Sequence, residues 1–153
     1  MAEMRMDNAR DPEQLRRMEA LAQKGKCHFC GSPGEIREKH TAPMIYRGHY
    51  CYIVGNDFPY PGSVHHYLIV SRPHVTKLSE LSNPAKLEIF SAIEWLERHL
   101  NTSGMSVFVR SGNMAYTGAT LDHLHFHFLV GAEKTEEMTE ADRLLVTLGY
   151  TKK

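Results

Sequence analysis

His123-Leu124-His125-Phe126-His127-Phe128-Leu129-Val130 is the stretch that decides how this chain is read. Three histidines alternate with large apolar residues. In a β-strand successive side chains point to opposite faces, so this register puts the three imidazoles on one side. Leu124, Phe126, Phe128 and Val130 then cover the other side and can bury it. At the usual strand rise the outer histidines sit roughly 13 Å apart, with the middle one about 6.6 Å from each. A row of that size matches a phosphate-bearing ligand, a metal, or both. Histidine changes charge near neutral pH and can serve as base, nucleophile or ligand, so three on one strand face indicate chemistry.

The segments around this strand are consistent with a chain of 153 residues folding as one domain, 1–153, with its core at about 27–131. Residues 11–24 have helical apolar spacing at Leu15, Met18, Leu21 and Ala22, with Gly25 as a stop. Residues 35–48 are ambiguous and read as a short strand and a turn. Tyr50–Val54 and His66–Val70 read as strands separated by a Pro- and Gly-bearing loop, and Met105–Arg110 as a third. Between them lies the clearest helix. Asn83 is the expected N-cap, Pro84 the first helical residue, and Ile89, Ile93, Leu96 and Leu100 form the apolar stripe. A last helix is expected at about 138–148. Antiparallel strands interrupted by one long helix, with terminal helices, define an α+β class.

Composition narrows the function classes. Lys plus Arg and Asp plus Glu both total 18, so the formal charge is zero. That argues against a broad nucleic-acid-binding surface, though a local anion pocket is compatible with it. No apolar run is long enough for a membrane span, and the N-terminus has no apolar signal region. Three cysteines, two in a CxxC, suit a reducing cytoplasm better than a disulfide framework.

Cys27 and Cys30 have the spacing of a zinc knuckle, in which one turn lets two thiolates grip the same ion. Two more ligands are required, and His74 and His123 are the choice among the many histidines. A redox CxxC would be expected to follow a strand and open a helix, which this one does not. Just before the histidine strand, Gly118 permits close backbone approach, while Asn113 and Thr120 can donate hydrogen bonds to phosphate oxygens. His66 and His74 flank the strand Tyr67–Val70, and either could join the histidine row.

These residues resemble the histidine triad (HIT) superfamily of nucleotide hydrolases and transferases, whose signature His-φ-His-φ-His-φ-φ fits His123–Leu129 at every position. Asn56-Asp57-Phe58-Pro59-Tyr60 resembles the family's nucleoside-binding loop, and His66-Tyr67-Leu68-Ile69-Val70 its Gly-His-x-Leu-Val-Ile strand. The resemblance implies an antiparallel sheet of about five strands and a homodimer with one joined sheet. It implies a nucleotide substrate attacked at its α-phosphate by His125, with a nucleotidyl-histidine intermediate. His127 and His66 would bind the phosphate oxygens, Asn113, Gly118 and Thr120 would lie at the phosphate, and Asn56 or Asp57 would bind the ribose. A structural zinc would be held by Cys27, Cys30, His74 and His123. The substrate would be a dinucleoside polyphosphate or an AMP phosphoramidate or aminoacyl-AMP. A low-turnover nucleotide-binding regulator and a catalytic metal centre are the competing readings. Three departures stand out: Gly118-Ala119-Thr120 replaces the family's Gly-Gln-Ser, the loop from Asn56 to His66 is longer by about two residues, and Ser71 replaces a proline.

Overall fold

The computed structural model describes residues 3–153. Its strands are β1 Met44–Arg47, β2 Cys51–Gly55, β3 His65–Ser71, β4 Ser106–Val109 and β5 His125–Val130. They form one antiparallel sheet in the order β1-β2-β3-β5-β4. The helices are α1 Pro12–Gln23, α2 Pro33–Lys39, α3 Asn83–Leu100 and α4 Met114–Thr117. The α+β class and the antiparallel sheet are therefore as expected. Among the described residues no helix is long and apolar enough to cross a membrane.

The alternation in β5 sorts its side chains as the sequence requires. Phe126, Phe128 and Val130 join Ile53, Ile69 and the α3 residues Ile89, Ile93 and Leu96 in one buried cluster. Each such fully buried side chain contributes about 1.5–3 kcal/mol, which is what seats α3 on this face. Glu88 of α3 adds a polar tie. Its carboxylate accepts the N–H groups of His49, Tyr50 and Cys51 at 2.7–3.1 Å, satisfying the turn between β1 and β2. Gly48 lets that carboxylate in, since a Cβ there would lie 2.0 Å from Glu88 Oε1. The opposite face carries Tyr52, Val54, Leu68 and Val70, packed against Phe29 and Ile36, and it also carries the histidines.

Several local expectations are corrected. Residues 33–39 are helical. Ser32 and Glu35 make a reciprocal capping box and Pro33 occupies the first turn, a start signal stronger than the weak apolar pattern that follows. α3 is capped by Ser82, not Asn83; the Ser82 hydroxyl accepts Ala85 N–H at 3.3 Å. Residues 114–117 of the Gly-rich segment form the short α4.

The C-terminal helix expected at 138–148 does not form. A single 3-10 turn, Glu140–Asp142, is capped by Thr139, and the chain then runs on without regular structure. Tertiary hydrogen bonds take its backbone groups: Thr147 O accepts Arg110 Nη2 at 2.7 Å, and Gly149 N–H donates to Thr117 O at 3.2 Å. Gly149 has φ of 70°, and a Cβ there would stand 2.3 Å from Tyr116 O. Only glycine permits this seating.

Candidate active site and metal centre

The sheet order places four polar side chains in a row across four strands. Asn56 follows β2, His66 lies in β3, His127 in β5, and Arg110 follows β4. Pairing of Val54 with Leu68, Leu68 with His127, and His127 with Phe108 puts all four on the same face. Asn56 Nδ2 is 3.1 Å from His66 Nε2, His66 Nε2 is 2.9 Å from His127 Nδ1, and His127 Nε2 is 3.3 Å from Arg110 Nη1.

One backbone group fixes the protons along this row. Tyr60 N–H, an unambiguous donor, points at His66 Nδ1 at 3.1 Å, so that nitrogen is an acceptor. A neutral His66 then carries its proton on Nε2 and donates it to His127 Nδ1. His127 in turn carries its proton on Nε2, where it faces another donor, the Arg110 guanidinium. Asn56 is similar: its Oδ1 accepts Phe58 N–H at 2.9 Å, while its amide N–H groups lie only against the His66 ring. The row thus leaves the Asn56 amide and the His127 Nε2–H as donors without an acceptor.

His125 sits beside this row, with its ring centroid 4.9 Å from that of His127. Its Nδ1 lies 2.7 Å from the carbonyl of His123, which fixes the proton on Nδ1 and leaves the Nε2 lone pair free. Burial lowers the pKa of His125 to about 4, partly opposed by that hydrogen bond, and the positive charge of Arg110 lowers it further. Burial lowers His66 to about 3, with Arg10, His125 and Arg110 adding to the effect. His127 is held well below its ordinary value, first by burial and then by His125, His66, Arg110 and Arg10. The three imidazoles are neutral at pH 7.

Asn56, His125, His127 and Arg110 line a cavity of about 330 Å³, and His66 stands behind them, reaching it through His127. Its lining combines the apolar side chains of Met18, Leu21, Phe29, Phe58 and Leu68 with Arg10, Arg110, Gly118 and Thr120. Of the two adjacent histidines, His66 is the buried one in the row, whereas His65 is only half-buried and faces Tyr67. Asn113 is not brought to this cavity: it is exposed and its Oδ1 caps α4 through Ala115 N–H at 2.8 Å. Asp57 lines the cavity, but its carboxylate is occupied by Thr41 and Ala42 N–H, the Thr41 hydroxyl and Arg17. These bonds hold its pKa low despite burial. Sequence reading missed Tyr60, Arg10 and Arg110. Arg110 had a signal, since it stands two residues beyond Phe108, the partner of His127, on the same face. Arg10 had none.

A second cluster lies beyond the other end of the histidine row. His123 precedes β5 and brings its Nδ1 within 3.4 Å of both Cys27 Sγ and Cys30 Sγ, and 3.1 Å of His74 Nδ1. Cys30 Sγ is 3.2 Å from His74 Nδ1. Tetrahedral zinc with ordinary Zn–S and Zn–N bonds separates its ligand atoms by about 3.3–3.8 Å, close to the spacing of these four residues, which fit that ion. Their surroundings fit as well. His123 Nε2 donates to Ser71 O at 2.6 Å, which leaves Nδ1 as the ligating nitrogen. Lys39 Nζ donates to the carbonyls of Cys27 and Cys30 and holds the knuckle closed beside the thiols. Ser71 N–H donates to Leu124 O at 3.2 Å, a bond that the family's proline at this point cannot make.

The HIT domain model matches residues 37–134, well over half of the chain, and the protein belongs to this family. Among solved structures, a zinc-bound histidine triad family protein from Mycobacterium smegmatis is 17% identical with a TM-score of 0.55, covering 76% of this chain and 81% of its own. A HIT family hydrolase from Clostridium thermocellum is 20% identical with a TM-score of 0.51, over 69% of this chain and 90% of its own. A histidine triad nucleotide-binding protein from Candida albicans is 22% identical with a TM-score of 0.50, over 70% and 83%. At these identities the likeness is one of fold. No curated protein matches the chain.

Proposed function

We propose that this protein is a nucleotide hydrolase or transferase acting at the α-phosphate of a nucleoside phosphate derivative. The observation that carries the reading is the state of His125: Nδ1 tied to a backbone carbonyl, Nε2 unprotonated, and the ring at the wall of a cavity rich in donors. A neutral buried imidazole beside preorganised donors is the arrangement that nucleophilic catalysis of phosphoryl transfer requires.

The Nε2 lone pair of His125 attacks the α-phosphorus and the bond to the leaving group breaks, giving a nucleotidyl-histidine. Water or another acceptor then attacks the same phosphorus, the P–N bond breaks, and the electron pair returns to Nε2. His127, through its Nε2–H, binds a phosphate oxygen as charge develops, and His66 orients His127 by holding its Nδ1. Gly118 and Thr120, which line the cavity, bind the phosphate, and the Asn56 amide takes a ribose oxygen. The apolar lining accommodates the base. Cys27, Cys30, His74 and His123 would hold a zinc ion in a structural role, since four protein ligands would leave no open position for substrate. A homodimer is supported by β4, an open edge strand, and by the exposed Leu87 and Phe90 on α3.

The test is rapid quenching with α-phosphate-labelled substrates, diadenosine tetraphosphate and adenosine phosphoramidate. Label is expected on wild-type protein and absent from His125→Ala. Turnover undiminished in His125→Ala would end the nucleophile assignment, and tight AMP binding without label or turnover would favour a regulatory role.

A further inference from the structure

The row of donors does not stop at His127. Arg110 extends it on the side away from Asn56, and Arg10 stands next to Arg110. Both guanidinium groups meet on Tyr60: Arg110 Nη2 is 3.2 Å from its hydroxyl, and Arg10 lies 4.0 Å above its ring. Tyr60 is itself buried, with its ring 5.9 Å from that of His127 and nearly parallel to it. The two cations are thus fixed against one aromatic platform in the cavity wall.

Among the described residues neither arginine has a carboxylate partner. Arg110 reaches only the carbonyls of Thr117 and Thr147 and the Tyr60 hydroxyl; Arg10 reaches Phe58 O at 3.2 Å. Two like charges placed together without a counter-ion repel each other, and such an arrangement is maintained where an anion completes it. The pKa of Arg10 is lowered by burial and by Arg110, consistent with that repulsion. Arg110 Nη1 and His127 Nε2–H, both donors, converge at 3.3 Å with no acceptor between them.

We infer that Arg10 and Arg110 form a second phosphate subsite, on the far side of the attacked phosphorus from the nucleoside. Direction follows from the row itself. Asn56 lies on the β2 side, His127 in the middle, and Arg110 on the β4 side, with Arg10 joining Arg110 across Tyr60 and reaching back to Phe58 O. A phosphate held there belongs either to the leaving group, as the next phosphate of a polyphosphate chain, or to inorganic phosphate poised as acceptor for the nucleotidyl group. Arg10 lies outside the matched HIT region, so this half of the subsite comes from the chain's own N-terminal segment. The inference names the substrate class of the site proposed above and rests on that reading for its catalytic consequences.

Equilibrium binding separates the two claims. Calorimetry with AMP and ADP on His125→Ala protein, which cannot turn over, is expected to show ADP bound about tenfold or more tighter, the worth of charge-assisted hydrogen bonds to one more phosphate. In the His125→Ala/Arg10→Gln double variant this preference is expected to shrink to about threefold or less. Arg110→Gln should do the same, with its melting temperature recorded because Arg110 also anchors the C-terminal segment. Equal affinity for AMP and ADP, or loss of both in parallel in the variants, overturns the subsite whether or not the protein is an enzyme. Turnover of diadenosine tetraphosphate identifies the source. Stimulation by inorganic phosphate that is lost in Arg10→Gln assigns the subsite to the acceptor, and a phosphate-independent loss assigns it to the leaving chain.

Discussion

The ring of His125 is tied by its Nδ1, at 2.7 Å, to the backbone carbonyl of His123, a residue whose own ring belongs to the zinc-type cluster. The two centres are therefore joined through two residues of one strand. An ion held by that cluster would steady the carbonyl that sets the His125 tautomer without touching His125 itself.

Metal removal tests that separation. One zinc per chain is expected by mass spectrometry, and none in Cys30→Ser. With free zinc about a thousandfold above its Kd the ion contributes ~4 kcal/mol, and its removal lowers the melting temperature by roughly 10 °C for a domain of this size. Labelling of His125 is expected to persist in metal-free protein below its melting point. Complete loss of labelling in a still-folded, metal-free protein would contradict a structural role.

The proton pattern can be read directly. Long-range nitrogen–proton NMR on histidine-labelled protein is expected to find His125 protonated on Nδ1, and His66 and His127 on Nε2, as Tyr60 N–H and the His123 carbonyl dictate. The opposite tautomer at His66 would break the donor row.

Acid should destabilise the protein through His66. Its pKa is about 3 when folded, against the ordinary 6.5, because burial and then Arg10, His125 and Arg110 oppose its charge. The unfolded chain binds the extra proton, so stability is intact above pH ~6.5 and is lost progressively as pH falls toward 3. At pH 5 this one group costs about 2 kcal/mol. Urea titrations at pH 7 and pH 5 check it: His66→Asn should lose less stability over this interval than wild type. Equal losses would move the acid sensitivity elsewhere.

The C-terminal segment closes one wall of the cavity. Tyr150 hydroxyl donates to Asn8 Oδ1 at 2.6 Å, and Thr147 and Gly149 hold to Arg110 and Thr117. Removing residues 144–153 should raise KM for nucleotide substrates by about tenfold, as the Arg110 side chain loses the carbonyl that positions it. An unchanged KM would mean that the segment only covers surface.

The two-residue alternation of His123–Val130 contained the essentials of the fold and half of the site. Alternation is a backbone property, so Phe126 and Phe128 had to face α3 once the histidines faced away. The CxxC was equally local, one turn holding two thiols. Thr147 shows where such reading stops: residues 138–148 lose their helix because Arg110 and Thr117 bind the tail from elsewhere. Asn113 and Asp57 illustrate the same limit. Both have side chains suited to a ligand, yet neighbours claim them, Ala115 in one case and Thr41, Ala42 and Arg17 in the other.

The sequence by itself determined which atoms could do chemistry and on which face of a strand they lie, because side-chain direction in a strand follows from register. Only the tertiary structure decided which of them meet. Strand order set Arg110 beside His127, and the path of the N-terminal segment set Arg10 beside Arg110. Those contacts join residues distant in the chain, and no local periodicity encodes them.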